Sequence, residues 1–341
     1  MRRRRPRSNP SAPLPVLAAI VAGVVSVAAC SAGPSGTART AGSGGASIPP
    51  TGAPPFVIDQ DFADPDVLQV GDQYYAYATN TPAVNIQLAS SHDLKTWTVS
   101  ASDMLPTLPA WAVPGRTWAP DVSEVSPGQY VMYFAAASAE PALQCIGVAM
   151  AHSPRGPFTP VGDAPLVCPV DEGGAIDPSA FVDVSGTRYL VWKNDGNCCG
   201  LDTWLQITPL TKDGLAIAGT STRLLMQTRA WEGHVIEAPT LVTRAGSYVL
   251  FYSANDFAGS SYAIGYATAA TLTGPYTKHG EPLLSTSSSG GHYLGPGGQD
   301  IVAAPDGSDW LVFHSWDPAG VYRGMNVLPL TWSGNVPSVT P

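Results

Sequence analysis

The sequence has few charged residues, few cysteines and little helical patterning. Only 13% of its 341 residues are charged, while 35 glycines and 33 prolines interrupt nearly every window in which apolar residues could recur at helical spacing. Its five cysteines show no Cys-x-x-Cys or Cys/His spacing of a zinc site. No serine nucleophile elbow or phosphate-binding glycine loop is present in the sequence. These absences argue against a helical fold, zinc chemistry, serine hydrolysis and nucleotide binding.

The charge balance is acidic. The full chain has a formal charge of −9, and because residues 1–29 carry five arginines and no acidic residue, their removal leaves −14. A negative surface argues against nucleic acid and anionic membranes as partners, and it is compatible with neutral polymers such as polysaccharides. The sequence predicts no oligomeric state.

Residues 1–29 resemble a bacterial lipoprotein signal peptide. An arginine-rich start is followed by the apolar run "LPVLAAIVAGVVSVAA", and Val27-Ala28-Ala29-Cys30 resembles a lipobox. We expect an exported protein that is either lipid-anchored at Cys30 on the outer face of the membrane or secreted. A plain membrane anchor is the alternative, although about 16 apolar residues fall short of the ~20 needed to span a bilayer.

The remaining chain divides into a tether and one domain. Residues 30–50 are mostly Ser, Gly, Ala, Thr and Pro, which cannot bury enough apolar surface to fold, so they predict a flexible tether. Residues 51–341 form the predicted catalytic domain. For the cysteines of this domain we expect a Cys145–Cys168 disulfide, which leaves Cys198 and Cys199 as a disulfide of adjacent residues or as free thiols.

A repeated motif fills this domain. Aligned copies recur at intervals of 55, 58, 61 and 60 residues, and they are centred on Val67, Val122, Ala180, Leu241 and Ile301. Each copy has an apolar strand, a turn rich in Gly, Asp or Ser, and an aromatic strand, which predicts a hairpin. Five such units predict an all-β, five-bladed β-propeller. The alternative is a two-domain β-sandwich, which gives no reason for a regular repeat.

Comparing the copies separates structural from functional acids. The position after a recurrent proline always carries a small oxygen-bearing side chain, which predicts a shared hydrogen bond: Asp66, Asp121, Ser179, Thr240 and Asp300. The position immediately before the proline carries a carboxylate in only two copies, Asp64 and Asp177. One position earlier in the repeat, Glu237 is the only acid among the five copies. Because all innermost strands of a propeller start at one end, these three acids should meet at one mouth of the channel.

Three carboxylates at one opening suit glycoside hydrolysis. An acid in an apolar pocket stays protonated and donates, a second stays ionised as a base, and a third raises the donor's pKa by repulsion. Phe62 and Trp118, near the same mouth, offer flat faces for sugar rings.

At this point the chain resembles glycoside hydrolase family 43, the five-bladed arabinanase, arabinofuranosidase and xylosidase group. The resemblance rests on "ADPDV", "WAPDV", "AIDPSAFVD", "IEAPTL", "GPGGQDI" and "VFHSWD" in this order. It implies that Asp64 is the general base, Glu237 the general acid and Asp177 the residue that modulates and orients the acid. It also implies inversion at the anomeric carbon, which places the Asp64 and Glu237 carboxyl groups roughly 6.5–9.5 Å apart.

The resemblance extends to three further residues. His314 matches a histidine that faces a hydrated calcium in the propeller channel, and a hydrogen-bonded core histidine is the alternative. No cofactor is required for the chemistry, so this calcium would be structural. Arg323 matches a substrate-contacting arginine, with a surface arginine as the alternative. Gln299 replaces the usual motif residues in blade 5, and we expect it to take over their substrate contacts.

The expected function is that of an inverting glycosidase acting on arabinose-containing polysaccharides or oligosaccharides, of the α-L-arabinofuranosidase or arabinanase type. A β-xylosidase of the same family is one alternative. A non-catalytic carbohydrate-binding propeller is another, but a pure binder has no reason to keep Asp64, Asp177 and Glu237 in three different blades.

Overall fold

The structure, a computed structural model, describes residues 56–304 and 306–341. These residues form 21 strands and three short 3-10 helices, at Val170–Glu172, Gly196–Cys199 and Ala230–Glu232. No helix in this part of the chain is long and apolar enough to cross a membrane. The predicted signal peptide, the tether and the lipid-accepting Cys30 lie outside the described residues.

Five antiparallel sheets follow one another along the chain, and each is one blade. Blade 1 contains β1 (Asp66–Val70), β2 (Gln73–Ala78), β3 (Gln87–Ser91) and β4 (Thr98–Val99). Blade 2 contains β5 (Ala112–Ser126), β6 (Gln129–Ser138), β7 (Gln144–Ala151) and β8 (Thr159–Pro160). Blade 3 contains β9 (Ala175–Val182), β10 (Arg188–Asn194), β11 (Trp204–Pro209) and β12 (Thr222–Met226).

Blade 4 contains β13 (Ile236–Arg244), β14 (Ser247–Ala254), β15 (Ala263–Ala269), β16 (Thr277–Lys278) and β17 (Leu284–Ser285), which also pairs with β15. Blade 5 contains β18 (Leu294–Ala303), β19 (Asp309–Trp316), β20 (Arg323–Ser333) and β21 (Val336–Val339). The first two strands of each blade are the antiparallel pair that the repeat predicts. The predicted five-bladed β-propeller is therefore confirmed.

The innermost strands close into a ring. Each of β1, β5, β9 and β13 contacts the innermost strand of the next blade, and β18 of blade 5 contacts β1. The segment that precedes blade 1 also pairs with blade 5, because Ile58 bridges Met325 and the Phe62 N–H donates to the Arg323 carbonyl at 2.9 Å. Aromatic residues fill the space between blades, as Tyr77 and Phe134 do between blades 1 and 2.

A ring of hydrogen bonds joins neighbouring blades at the axis. In each, a side-chain oxygen of an innermost strand bonds to the backbone of the next blade: Asp66 to Val122 N at 2.9 Å, Asp121 to Ala180 N at 3.0 Å, Asp177 to Ala238 N at 2.8 Å, Thr240 to Gln299 O at 2.8 Å, and Asp300 to Val67 N at 3.0 Å. The structural role predicted for Asp66 and Asp121 is confirmed, and the bonds connect blades rather than closing turns within them. Blade 3 makes its bond with Asp177 and not with Ser179.

Both disulfides of the domain are formed. Cys145 bonds to Cys168, as the sequence predicts. Cys198 bonds to its neighbour Cys199, which decides between the two alternatives that the sequence left open.

The axial carboxylates are buried together, and burial raises their pKa values. Burial, followed by the charges of Asp121 and Asp300, raises the pKa of Asp66 well above its ordinary value. Burial is also the main cause that raises the pKa of Asp121 to about 7 and that of Asp300 to about 6. A carboxyl whose pKa is raised by folding stabilises the fold at low pH, and this contribution is lost as the pH rises through the folded pKa.

We therefore expect Asp121→Asn to stabilise the protein at alkaline pH. The amide keeps an acceptor oxygen for the Ala180 N–H but cannot ionise, so the variant should melt about 2 °C or more above the parent at pH 8 and no higher than the parent at pH 4. Thermal unfolding at both pH values measures this, with the exposed Asp163→Asn as the charge-matched control. If the melting temperatures of variant and parent differed equally at pH 4 and at pH 8, the expected effect of Asp121 ionisation would be contradicted.

Candidate active site

The backbone at the channel mouth is left-handed at one equivalent position in all five blades. The residue before the recurrent proline position has φ between 43° and 57°: Asp64, Ala119, Asp177, Ala238 and Gly298. In blades 2 to 5 the strand pairing shifts register at this point, which marks a β-bulge. A bulge changes the direction of nearby side chains. Alanine at two of the positions shows that the blade requires the conformation and not a carboxylate.

The three candidate acids line one cavity. Asp64, Asp177 and Glu237, from blades 1, 3 and 4, face a cavity of about 350 Å³. Glu237 occupies the same position in its blade as Trp118 and Ile176 do in theirs, which explains why all three line it. The other lining residues are Thr79, Lys193, Asp195, Asn197, Cys198, Phe257, Tyr262 and Arg323. Of the predicted substrate contacts, the structure thus brings Trp118 and Arg323 to the acids.

Asp64 is held as a carboxylate. Thr79 Oγ1 donates to its Oδ2 at 2.7 Å, and Arg323 Nη1 lies 3.7 Å from its Oδ1. Burial by itself would raise the pKa of Asp64, but Arg323, His314 and the Thr79 hydrogen bond outweigh it, and the pKa lies below its ordinary value. Because His314 is itself neutral near pH 7, Arg323 is the cation that stabilises the charged form.

Glu237 and Asp177 are each hydrogen-bonded to fixed donors. Lys193 Nζ donates to Glu237 Oε2 at 2.9 Å and the Tyr262 hydroxyl donates to Oε1 at 2.8 Å. Asp177 accepts the Ala238 N–H at 2.8 Å. Glu237 and Ala238 are adjacent, so the hydrogen bond of Asp177 also holds the backbone beside Glu237.

These two acids share a site that contains one lysine. Burial, followed by the charge of Glu237, raises the pKa of Asp177 to about 8, although Lys193 opposes the shift. Burial also acts to lower the pKa of Lys193, but Glu237, Asp177 and Asp195 together raise it, so the lysine stays charged. Asp177 therefore carries a proton at neutral pH.

His314 is a buried hydrogen-bond acceptor behind Asp64. Its Nδ1 accepts the Asp64 N–H at 3.0 Å, and burial and Arg323 lower the pKa of His314 to about 3. A Cβ on Gly298 would lie 2.5 Å from this nitrogen and 2.7 Å from Asp64 Oδ1. Blade 5 therefore has glycine where other blades have alanine or aspartate.

The surroundings of His314 do not fit a direct metal contact. Because Nδ1 accepts a hydrogen bond in a neutral ring, Nε2 carries the proton and presents no lone pair to a cation. Nε2 is buried without a protein partner, and the described residues contain no group of three or more His, Cys, Asp or Glu arranged to hold a metal. Calcium prefers six to eight oxygen ligands. Contact of His314 with a hydrated calcium through water stays a prediction.

Two predicted substrate contacts lie elsewhere. Phe62 is fully buried in the apolar cluster between blades 1 and 5, with Tyr74 and Met325, so its predicted contact with sugar is wrong. Gln299 is buried in the axial channel, where its side chain accepts from Ser253 Oγ at 2.7 Å and donates to the Ala238 carbonyl. Its amide is thereby engaged in holding blade 4, and the prediction that it replaces substrate contacts is also wrong.

Sequence comparison of the blades missed several residues of this site. Lys193 could have been recognised as a candidate, because a lysine is unusual inside an apolar strand such as "YLVWKN". Tyr262, Phe257 and Cys198 lie in loops that follow no repeat, and nothing in their spacing indicated the cavity. Phe257 is 48% exposed, and the Arg323 guanidinium lies 5.2 Å from the centre of its ring.

Known proteins share this architecture and sequence. Residues 54–336 match the family described as Glycosyl hydrolases family 43. The extracellular endo-alpha-(1->5)-L-arabinanase 1 of Bacillus subtilis (strain 168) is 29% identical over 293 residues, which cover 81% of this chain and 86% of that protein. The extracellular exo-alpha-(1->5)-L-arabinofuranosidase ArbA of Cellvibrio japonicus (strain Ueda107) is 27% identical over 304 residues, which cover 80% of this chain and 84% of that protein.

A solved structure is similar in fold and sequence. The crystal structure of an endo-1,4-beta-xylanase from Bacteroides thetaiotaomicron VPI-5482 matches with a TM-score of 0.71 and 29% identity, covering 84% of this chain and 96% of that one. The family match covers all five blades except the last strand of blade 5, and it includes all three acids of the cavity. The chain therefore belongs to glycosyl hydrolases family 43, and it is a glycosidase.

Proposed function

We propose that this protein is an inverting glycosidase that acts on arabinose-containing polysaccharides or oligosaccharides. The observation that supports this most directly is the convergence of Asp64, Asp177 and Glu237, from three blades, on one cavity of about 350 Å³. Trp118 and Phe257 add aromatic surface to that cavity. Such a site combines proton transfer with flat apolar faces, which is the combination that sugar hydrolysis requires.

Asp64 is the proposed general base. Its lowered pKa keeps it ionised at neutral pH, so it can accept a proton from a water molecule that attacks the anomeric carbon. Arg323 and Thr79 hold its two oxygens in place. In an inverting enzyme this water lies between base and sugar, and the expected separation of roughly 6.5–9.5 Å between the Asp64 and Glu237 carboxyl groups stays a prediction.

Glu237 is the proposed general acid, and Asp177 is the residue that tunes and orients it. Delivery of a proton by Glu237 to the glycosidic oxygen lets the leaving group depart as an alcohol. Lys193 and Tyr262 fix the Glu237 carboxyl group. Asp177, which its raised pKa keeps protonated at neutral pH, bonds to the Ala238 N–H and so orients the backbone of Glu237.

The arabinose preference rests on similarity to proteins that are named for arabinan. Two relatives with 27–29% identity are an endo-arabinanase and an exo-arabinofuranosidase. A xyloside is the second candidate, because the similar solved structure is that of an endo-1,4-beta-xylanase. A non-catalytic binding propeller is disfavoured, because a buried acid pair costs stability that sugar binding alone does not require.

We also propose that the protein is exported. Both arabinan-directed relatives are named extracellular, and residues 1–29 have the pattern of an export signal. Attachment of lipid at Cys30 is part of this proposal, and mass spectrometry of the membrane fraction of expressing cells tests it.

A substrate screen tests the reaction and its stereochemistry. We expect release of arabinose or arabino-oligosaccharides from aryl α-L-arabinofuranoside or debranched arabinan, at rates above those on aryl β-D-xyloside. NMR during the first minutes should show a product whose anomeric configuration is opposite to that of the substrate. Net retention of the anomeric configuration would contradict the proposed mechanism. Activity on xylosides alone would show that the substrate contains xylose and not arabinose.

Substitution of the acid and the base should have different consequences. Glu237→Ala should lower kcat on arabino-oligosaccharides about 10³-fold and recover partly on aryl arabinosides, whose leaving groups need little protonation. Asp64→Ala should lose activity on both substrates, since both need an activated water. Steady-state kinetics measure this, with the exposed Asp163→Asn as the control for loss of a carboxylate. Parental rates for Asp64→Ala on either substrate would show that Asp64 is not the base.

The pH profile should have limits set by the two kinds of carboxyl. Activity needs Asp177 protonated, so kcat/KM should fall as the pH rises through about 8. It also needs Asp64 ionised, and because the pKa of Asp64 is lowered, kcat/KM should fall on the acid side only below the ordinary pKa of an aspartate. Initial rates from pH 3 to pH 10 on one oligosaccharide check both limits. Constant kcat/KM between pH 7 and pH 10 would show that activity does not depend on the proton of Asp177.

A further inference from the structure

The Cys198–Cys199 disulfide lies at the rim of the catalytic cavity. It belongs to the short 3-10 helix Gly196–Cys199, in the loop between β10 and β11, and both cysteines are exposed. Lys193, which holds Glu237, is five residues before Cys198 in the chain. The catalytic site and an exposed disulfide are therefore parts of the same loop region.

Cross-linking does not explain this disulfide. A disulfide restrains the unfolded chain according to the length of the loop that it closes, and adjacent cysteines close the shortest loop possible. The loop is already held by other bonds: Asn194 Nδ2 donates to the carbonyls of Glu172 and Asp202, both at 3.0 Å, and Leu201 N donates to the Gly196 carbonyl at 2.9 Å. By contrast, Cys145–Cys168 connects segments 23 residues apart.

Cys198 separates the catalytic cavity from a second one. Trp118, Asp195 and Cys198 line both cavities, and we call these three residues the ridge. The second cavity has a volume of about 390 Å³, and its wall includes Arg116 and the partly exposed Val113. A sugar chain that leaves the catalytic cavity on this side crosses the ridge and enters a space large enough for a further unit.

The surface of the ridge suits the face of a sugar ring. The C–H groups of a pentose pack against apolar, polarisable surface, which Trp118 offers as an indole and the disulfide offers through Cys198, the half of it that lines both cavities. Arg116 presents guanidinium N–H groups that can donate to hydroxyl oxygens within the second cavity.

We propose that the Cys198–Cys199 disulfide is a sugar-binding platform that contacts a pentose unit beyond the one being cleaved, and that it gives the enzyme its affinity for chains over single glycosides. This rests on the proposed function, because it assigns a second binding position to the same substrate. The disulfide acts as a binding surface and takes no part in proton transfer.

The double variant Cys198→Ser/Cys199→Ser tests the platform. Its KM for linear arabino-oligosaccharides of four to six units should rise about tenfold, the effect of one lost apolar contact, with kcat little changed. The change in KM for aryl α-L-arabinofuranoside should be much smaller, because this substrate does not reach the second cavity. Cys198→Ala/Cys199→Ala should show a similar selective loss, since two separate methyl groups do not reproduce the joined sulfur surface.

The controls separate binding from folding. Val184→Ser, in the turn between β9 and β10 where Val184 is 88% exposed, should match the parent on both substrates. A disulfide with only a structural role would lower kcat on both substrates in the same proportion and lower the melting temperature, and that result would overturn the platform. Unchanged KM for the oligosaccharides would also overturn it.

Failure of the proposed function has a different signature. A parent enzyme that hydrolyses neither arabinoside would contradict the proposed function but would not test the platform. In that case, calorimetric titration of arabino-oligosaccharides and xylo-oligosaccharides into the parent and the double variant tests whether the disulfide binds sugar. A dissociation constant at least several-fold higher in the double variant for either series supports the platform, and equal constants reject it.

Discussion

The hydrogen bonds that connect neighbouring blades at the axis are the constraint on which the rest of this structure depends. A side-chain oxygen on the innermost strand of each blade, or at its first residue, bonds to the backbone of the next blade. Beside these bonds every blade has one left-handed residue, a conformation that costs an L-residue about 1–2 kcal/mol. Because the residue before the proline position is turned in this way, it lies at the mouth of the channel. The site is thus a consequence of how the propeller closes.

Asp177 belongs both to this ring and to the catalytic cavity. Its bond to the Ala238 N–H replaces the one that Ser179 would make, and the same bond orders the backbone next to Glu237. Its raised pKa comes from burial and from the charge of Glu237, so the buried position that the ring bond requires also keeps Asp177 protonated. In blade 3 the residue before the proline therefore makes the structural bond that the residue after the proline position makes in the other four blades, and it also faces the cavity.

The cavity has charged residues on two sides and apolar residues around them. On one side, Arg323 and Thr79 stabilise the ionised Asp64. On the other side, Lys193 bonds to the carboxyl group of Glu237. Trp118, Phe257 and the disulfide of blade 3 surround these charges with apolar surface. Buried cations favour ionised carboxylates here, because burial in an apolar opening by itself opposes ionisation. One position of the repeat supplies both charge and apolar surface, as Glu237 in blade 4 and Trp118 in blade 2, and loops outside the repeat add Phe257 and Cys198.

The sequence by itself determined the number of blades, the Cys145–Cys168 disulfide and the convergence of Asp64, Asp177 and Glu237, because a repeat reports equivalent positions and a propeller brings these together at one end. It could not determine side-chain direction near the left-handed residues Asp64 and Gly298, which is why Phe62 and Gln299 were assigned to the substrate although both are buried. Only the tertiary structure decided that Lys193 and Tyr262 hold Glu237, and that Cys198 and Phe257 border the cavity. These contacts join loops and blades that are distant in sequence, and packing between them leaves no periodic pattern in a single chain.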